Sequence, residues 1–312
     1  MMRVMGNGVE INVARWKGKG RPVLALHGIT ANCRCWDFFA ETLSPEFDFY
    51  AMDLRGRGRS EKPKSGYSPD IHAKDIVGVL DGLKIDRVVL VGHSLGAFLT
   101  LIFAARHADR VDRIVLVDGA GHLSAEQLKK VFQSIKPALD RLNETFPSQQ
   151  AYLERMRSAP YLQPWNAVIE NYFRYEMEQC PAGVKTNIAA ECIGEEAANV
   201  RKIDCRRLYP LATCPSLILR ATNGLFGDGD LLLPTNVVAE MKSELPDATR
   251  YDVEGVNHYG IVMQPHKGRD EALLKFLRLT PLPTASAANS CRTPGRSSGS
   301  NPRGIGSIPD GN

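Results

Sequence analysis

The stretch Arg87-Val88-Val89-Leu90-Val91-Gly92-His93-Ser94-Leu95-Gly96-Ala97-Phe98 carries a G-x-S-x-G pattern between two apolar runs. The run before the pattern, Val88–Val91, is continuous and largely β-branched, which predicts a fully buried strand. The run after it, Ala97–Arg106, has the length and composition of a helix. A strand, a sharp turn and a helix around this serine predict a nucleophile elbow, in which a strained turn exposes the Ser94 hydroxyl. Both glycines of the pattern are expected because a side chain at either position would collide with the neighbouring strand or helix.

Strands and helices alternate on both sides of this elbow. Further apolar runs predict strands at Val9–Trp16 (an edge strand), Val23–Leu26, Phe47–Met52, Ile114–Val117, Ser216–Ala221 and Arg250–Val253. Helical spacing is found among them at Trp36–Leu43, Pro69–Leu83, Thr235–Leu245 and Lys267–Leu279. Alternation of this kind predicts βαβ units and a mostly parallel sheet.

The alternation stops between about His122 and Leu208, where helices without clear strands are predicted. These helices are Ala125–Leu142, Gln149–Arg157, Trp165–Glu178 and Val184–Ile193. We therefore expect a core formed by residues 1–121 and 209–280, with residues 122–208 inserted as a helical cap. Residues 281–312 are rich in Pro, Ser, Gly, Asn and Arg and poor in apolar residues, which predicts a disordered tail.

Composition excludes several classes of protein. A chain of 312 residues with 43% hydrophobic content can bury a large core. Its net charge of +4 includes +2 from the tail, where three arginines face one aspartate, so no basic stripe indicates nucleic-acid binding. No apolar run is long enough for a membrane span, and the N-terminus lacks the apolar core of a signal peptide. The seven cysteines form no C-x-x-C pattern, which predicts reduced thiols in a cytoplasmic protein without a metal site.

Four segments, in this order and spacing, resemble the α/β-hydrolase superfamily over roughly residues 9–280. They are His27-Gly28 after a strand, the segment Asp53-Leu54-Arg55-Gly56-Arg57-Gly58-Arg59-Ser60, the Ser94 elbow, and Asn257-His258 after the last strand. The resemblance implies an α/β-hydrolase fold, with a mostly parallel, twisted sheet of about eight strands and an inserted cap. It also implies a small-molecule substrate and no cofactor, and it leaves the oligomeric state open.

The resemblance assigns roles to individual residues. Ser94 is the expected nucleophile and His258 the base that removes its proton, because the order of serine then histidine is that of this fold. The backbone N–H groups of Ile29 and Leu95 are the expected oxyanion donors.

The acid of the triad departs from the commonest pattern, since the usual position, after the strand Ser216–Ala221, holds Gly224. Asp118, at the end of the strand after the nucleophile strand, is favoured because a strand end holds a carboxylate rigidly. Asp230 and Asp228, in a glycine-rich loop, remain alternatives.

Three further residues are candidates for contact with the substrate. Arg34 follows the oxyanion loop and could bind a carboxylate. Trp165 could face the substrate from the cap, although packing explains most cap aromatics, and His122 could line the cavity mouth or be an ordinary loop residue. The implied reaction is hydrolysis of a small ester, lactone or amide through an acyl-enzyme. One alternative is cleavage of a carbon–carbon bond in a ring-fission product, and another is a ligand-binding receptor or scaffold with little turnover.

Overall fold

A central sheet of eight strands runs through the molecule in the order β1-β2-β4-β3-β5-β6-β9-β10. The structure is a computed structural model and describes Met1–Leu279, which form one compact unit, so the tail predicted at 281–312 lies outside the described residues. The strands are β1 (Met2–Met5), β2 (Glu10–Trp16), β3 (Pro22–Leu26), β4 (Asp48–Met52), β5 (Val88–His93), β6 (Val111–Val117), β7 (Met177–Cys180), β8 (Gly183–Thr186), β9 (Ser216–Ala221) and β10 (Ala248–Val253). All pairings from β4 to β10 in the eight-stranded sheet are parallel, which confirms the predicted mostly parallel architecture.

Eleven α-helices accompany these strands in the described part of the chain. They are α1 (Asp37–Leu43), α2 (Pro69–Gly82), α3 (Leu95–Arg106), α4 (Ala125–Ser134), α5 (Lys136–Asp140), α6 (Gln149–Arg157), α7 (Ala167–Glu176), α8 (Ala190–Val200), α9 (Thr235–Glu244), α10 (Gly260–Met263) and α11 (Lys267–Arg278). None of them is both long and apolar enough to cross a membrane.

The sheet divides the core into two apolar layers, as the two-residue period of a strand requires. On β5, Val89 and Val91 pack into one layer with α1 and α11, whereas Val88 and Leu90 pack into the other with α2 and α3. All six residues of β5 are buried. Burial on both faces explains why this strand is continuously apolar rather than alternating.

Two predictions about strands were wrong. The strand predicted to lie at the edge pairs on both sides, because β1, which the sequence analysis did not identify, adds antiparallel to β2. The segment predicted as entirely helical, residues 122–208 (the cap segment), contains the antiparallel hairpin β7–β8. Pro181 lies in the turn between the two strands, and Gly183 begins β8 with a φ of 129° that suits only glycine. Phe146 pairs with Val184 from a distant part of the segment.

Candidate active site

Ser94 occupies the sharp turn between β5 and α3. Its φ of 55° and ψ of −118° lie outside the regions that a non-glycine residue normally adopts. Close packing enforces this turn: a Cβ on Gly92 would lie 2.1 Å from the carbonyl oxygen of Gly96, and a Cβ on Gly96 would lie 2.0 Å from that of Leu26. The Ser94 N–H donates to the carbonyl of Val117 at 3.1 Å, which ties the turn to β6. Strain held in this way is typical of functional positions.

His258 and Asp118 are brought together from two loops at the same edge of the sheet. The Nδ1 atom of His258 lies 2.8 Å from Oδ2 of Asp118, and both side chains are buried. The other carboxylate oxygen of Asp118 accepts from the N–H of Ala221 at 3.1 Å. This bond at Nδ1 leaves Nε2 of His258 as the nitrogen that can act on Ser94, which lines the same cavity.

Asp118 is itself held in an unusual backbone conformation, with a φ of 43°. Its N–H donates to the carbonyl of Leu219 at 2.8 Å, so the neighbouring strand maintains the strain. Asp230 is half-buried, and its carboxylate accepts from the N–H of Phe226 at 2.9 Å. The side chain of Asp228 lies outside the described part of the structure. Of the two aspartates with described side chains, the structure brings Asp118 to His258.

His93 packs beside the same imidazole. Its ring centroid lies 4.3 Å from that of His258, and its Nε2 donates to the His258 backbone carbonyl at 2.9 Å. Burial, reinforced by the neighbouring His258, lowers the pKa of His93 well below its ordinary value. A neutral ring with its proton on Nε2 therefore supports the loop that carries His258.

The predicted oxyanion loop, residues 27–30, is fixed through its carbonyl groups. Nε and NH2 of Arg57 each donate to the carbonyl of Ile29 at 3.0 Å. The carbonyl of Thr30 accepts from Arg141 at 2.9 Å and from the hydroxyl of Tyr172 at 3.1 Å. With both carbonyls held, the loop that carries the N–H of Ile29 is fixed at the two cavities that Ile29 and Ser94 both line.

Three of the groups that hold the oxyanion loop depend on the cap segment. Arg141 and Tyr172 belong to it, and Arg57 is paired with Glu196 of α8 in a fully buried ion pair. The opposite charge of Arg57 lowers the pKa of Glu196 against the opposing effect of its burial. Sequence reasoning could not find the partner of Arg57, because Glu196 lies 139 residues away.

Two cavities meet at Ser94, and Ile29 and Ile135 line both. The first, the apolar cavity, has hydrocarbon side chains or glycine at every lining position except Ser94 and Asp118; its walls include Phe98, Leu128, Val131, Phe132, Val200 and Leu232. The second, the histidine-side cavity, is lined by His258, His93, Thr30, Cys35, Tyr172 and Met263. Burial raises the pKa of the Cys35 thiol well above its ordinary value, so this sulfur is not a competing nucleophile.

The three predicted substrate-contact residues line neither cavity. Arg34 forms an ion pair with Asp37 at 2.6 Å, and its guanidinium lies over the Trp16 ring. Trp165 stacks on Phe173 within the cap segment. The Nδ1 atom of His122 lies 3.4 Å from Oδ1 of Asp204. In the described part of the chain, no group of three or more His, Cys, Asp or Glu side chains is arranged to hold a metal ion.

Comparisons with known proteins agree with this architecture. A family model described as the alpha/beta hydrolase fold matches residues 21–263. A 2-(acetamidomethylene)succinate hydrolase from Mesorhizobium japonicum is 29% identical over 261 residues, which are 80% of this chain and 86% of that protein. A crystal structure of E-2-(acetamidomethylene)succinate hydrolase superposes with a TM-score of 0.78 and 26% identity, covering 89% of this chain and 98% of that chain.

A shorter match adds a second kind of relative. A 2-hydroxymuconate semialdehyde hydrolase from a Pseudomonas species is 35% identical over 123 residues. That match spans 38% of this chain and 43% of that protein.

Proposed function

The chain belongs to the α/β-hydrolase family, and from this premise we propose that it is a serine hydrolase that cleaves a small ester, lactone or amide through an acyl-enzyme. The observation that carries the proposal is the 2.8 Å contact between His258 Nδ1 and Asp118 Oδ2 in a cavity that Ser94 shares. A strained serine, a buried carboxylate and a buried imidazole, found in that order along the chain, have the arrangement of a catalytic triad.

In the proposed first step, the Oγ atom of Ser94 attacks the substrate carbonyl while Nε2 of His258 takes the hydroxyl proton. Asp118 keeps the imidazole in the productive tautomer and stabilises the imidazolium that forms. His93 faces this imidazolium as an uncharged ring, so it adds no repulsion.

The negative charge that develops on the carbonyl oxygen is stabilised by the N–H groups of Ile29 and Leu95. Leu95 begins α3, so its N–H lies at the positive end of a helix dipole. The imidazolium of His258 then gives its proton to the leaving group. In the second half of the reaction, water gives a proton to His258 and attacks the acyl-enzyme, which releases the carboxylic acid and restores Ser94. No step requires a metal or an organic cofactor.

Covalent labelling with a fluorophosphonate, followed by mass spectrometry of the modified peptide, tests this proposal. We expect modification at Ser94, hydrolysis of p-nitrophenyl esters, and loss of both in Ser94→Ala. Ser148→Ala removes a serine that caps α6 and serves as the matched control, with labelling as in the unaltered protein. A folded protein that is neither labelled nor active on esters, lactones and amides would instead be a binding protein.

A second candidate reaction is cleavage of a carbon–carbon bond, favoured by the similarity to 2-hydroxymuconate semialdehyde hydrolase. The same serine, histidine and aspartate would serve that reaction. Loss of the visible absorbance of a dienol ring-fission product distinguishes it from ester hydrolysis. We favour the ester, lactone or amide because a relative whose match covers 80% of this chain is named for a substrate with an acetamido group, which is an amide.

A further inference from the structure

The two cavities at Ser94 accept different parts of a substrate, if Ser94 is the nucleophile as proposed above. The leaving group must take its proton from His258, which lines only the histidine-side cavity. The acyl group, which stays on Ser94 after the leaving group departs, must then lie on the other side. That side is the apolar cavity.

The apolar cavity has no cationic side chain that could bind the carboxylate of a substrate. No Lys, Arg or His is among its lining residues, and the side chains around the space beside Ser94 are mostly hydrocarbon. Its one ionisable side chain, Asp118, is a carboxylate that would repel a second negative charge. An acyl group carrying a carboxylate would lose its hydration there without gaining a partner, which is costly.

Three nearby cations line another groove and not the apolar cavity. Lys129, Lys136 and Arg201 line this separate, more open groove, which shares Leu123, Leu128 and Phe132 with the cavity. The guanidinium of Arg201 lies over the Phe132 ring, 4.8 Å from its centroid. Arg141, which approaches through the carbonyl of Thr30, is buried against Glu176 in an ion pair at 3.0 Å.

The roof of the cavity is the inner face of α4. Leu128, Val131 and Phe132 recur at helical spacing on this face, yet all three side chains remain half-buried. They line the cavity instead of being fully packed into the core. A hydrocarbon chain on Ser94 would cover them and remove apolar surface from water.

We propose that the apolar cavity binds the acyl group of the substrate, and that this acyl group is an uncharged hydrocarbon chain longer than acetyl. Leu128, Val131 and Phe132 of α4, with Phe98 of α3, are the residues that set this preference. The proposed acyl group is therefore longer than the acetyl of the acetamido group in the name of the similar 2-(acetamidomethylene)succinate hydrolase.

The first test uses the unaltered protein and p-nitrophenyl esters with one common leaving group. Each methylene buried in the cavity is expected to raise kcat/KM about fourfold, so the hexanoate should exceed the acetate by on the order of 10²-fold. The p-nitrophenyl monoester of adipic acid has the same chain length but a terminal carboxylate, and it should be poorer than its neutral methyl ester by about 10²-fold. Equal rates for acetate and hexanoate, or a preference for the free acid, would overturn the proposal.

The second test places a cation in the cavity. Val131→Lys should raise the ratio of kcat/KM for the adipic monoester over the hexanoate by about tenfold or more. Gln133→Lys adds the same charge to the exposed face of the same helix and should leave the ratio unchanged. An unchanged ratio in Val131→Lys would show that the acyl group lies elsewhere.

Fluorophosphonate labelling of Ser94 distinguishes a failure of the acyl assignment from a failure of the proposed function. If Ser94 is labelled and esters are cleaved with the wrong acyl preference, only the assignment of the apolar cavity fails. If Ser94 is not labelled and no ester is cleaved, the proposed function fails and the acyl assignment fails with it.

Discussion

Replacing Asp118 with asparagine tests the proposed triad at its least predictable member. Both carboxylate oxygens of Asp118 are used, one by the N–H of Ala221 at 3.1 Å and one by His258 Nδ1 at 2.8 Å. Asparagine has one acceptor and one donor group at these positions. If its oxygen keeps the bond to Ala221, its NH₂ faces Nδ1 and stabilises the tautomer with the proton on Nε2. The reverse orientation opposes two buried donors, which costs about 1–3 kcal/mol.

The favoured orientation therefore leaves His258 unable to accept the proton of Ser94. We expect kcat for a p-nitrophenyl ester to fall by on the order of 10⁴-fold, about 5.5 kcal/mol of transition-state stabilisation. The assay is steady-state hydrolysis, with circular dichroism and thermal unfolding to verify that Asp118→Asn is folded.

Asp230→Asn is the matched control. The half-buried Asp230 accepts from the N–H of Phe226, a bond that an amide oxygen can replace, so kcat should change by no more than about threefold. Asp228→Asn is expected to be equally mild. A folded Asp118→Asn protein that keeps a tenth or more of its kcat, beside a crippled Asp230→Asn or Asp228→Asn protein, would refute the reasoning.

The remaining predictions concern the groups around the triad. Glu196→Gln removes the charge that holds Arg57, so the loop that carries the Ile29 N–H should no longer be fixed. We expect kcat to fall about tenfold or more with little change in KM. Glu195→Gln on the same helix is the control, and equal kcat in the two variants would contradict the role of Arg57. Tyr172→Phe removes one of two donors to the Thr30 carbonyl and should lower kcat by a smaller factor, about threefold. A larger loss of kcat than in Glu196→Gln would show that Tyr172 matters more than the Arg57–Glu196 pair. Burial lowers the pKa of His27 to about 4 from an ordinary value of 6.5, so between these values the unfolded chain binds more protons than the folded chain. The free energy of unfolding should therefore decrease as pH falls from 6.5 to 4, by about 3 kcal/mol from His27 alone, with the ring of His27 still neutral by NMR at pH 5; a ring that titrates near 6.5 would disprove this.

Local patterns in the sequence were sufficient for the framework. Continuous apolar runs predicted the buried strands because a strand covered on both faces must be apolar throughout, as β5 is. The pattern around Ser94 predicted a strained turn because glycine is the only residue that fits where β5, α3 and β3 meet. These features depend on residues close together in the chain, so composition and spacing encode them directly.

The tertiary structure decided what depends on distant contacts. Asp118 and His258 are 140 residues apart, and Arg57 and Glu196 are 139 apart, so no local pattern could pair them. The hairpin β7–β8 and the ion pair of Arg34 with Asp37, three residues along the chain, are local contacts that the sequence analysis did not recognise. The absence of cations from the lining of the apolar cavity depends on which side chains of α3, α4 and the neighbouring loops line it. A sequence states which chemical groups are present along the chain, but the direction in which each side chain points, and hence the charge that a substrate meets, is set only when the elements pack.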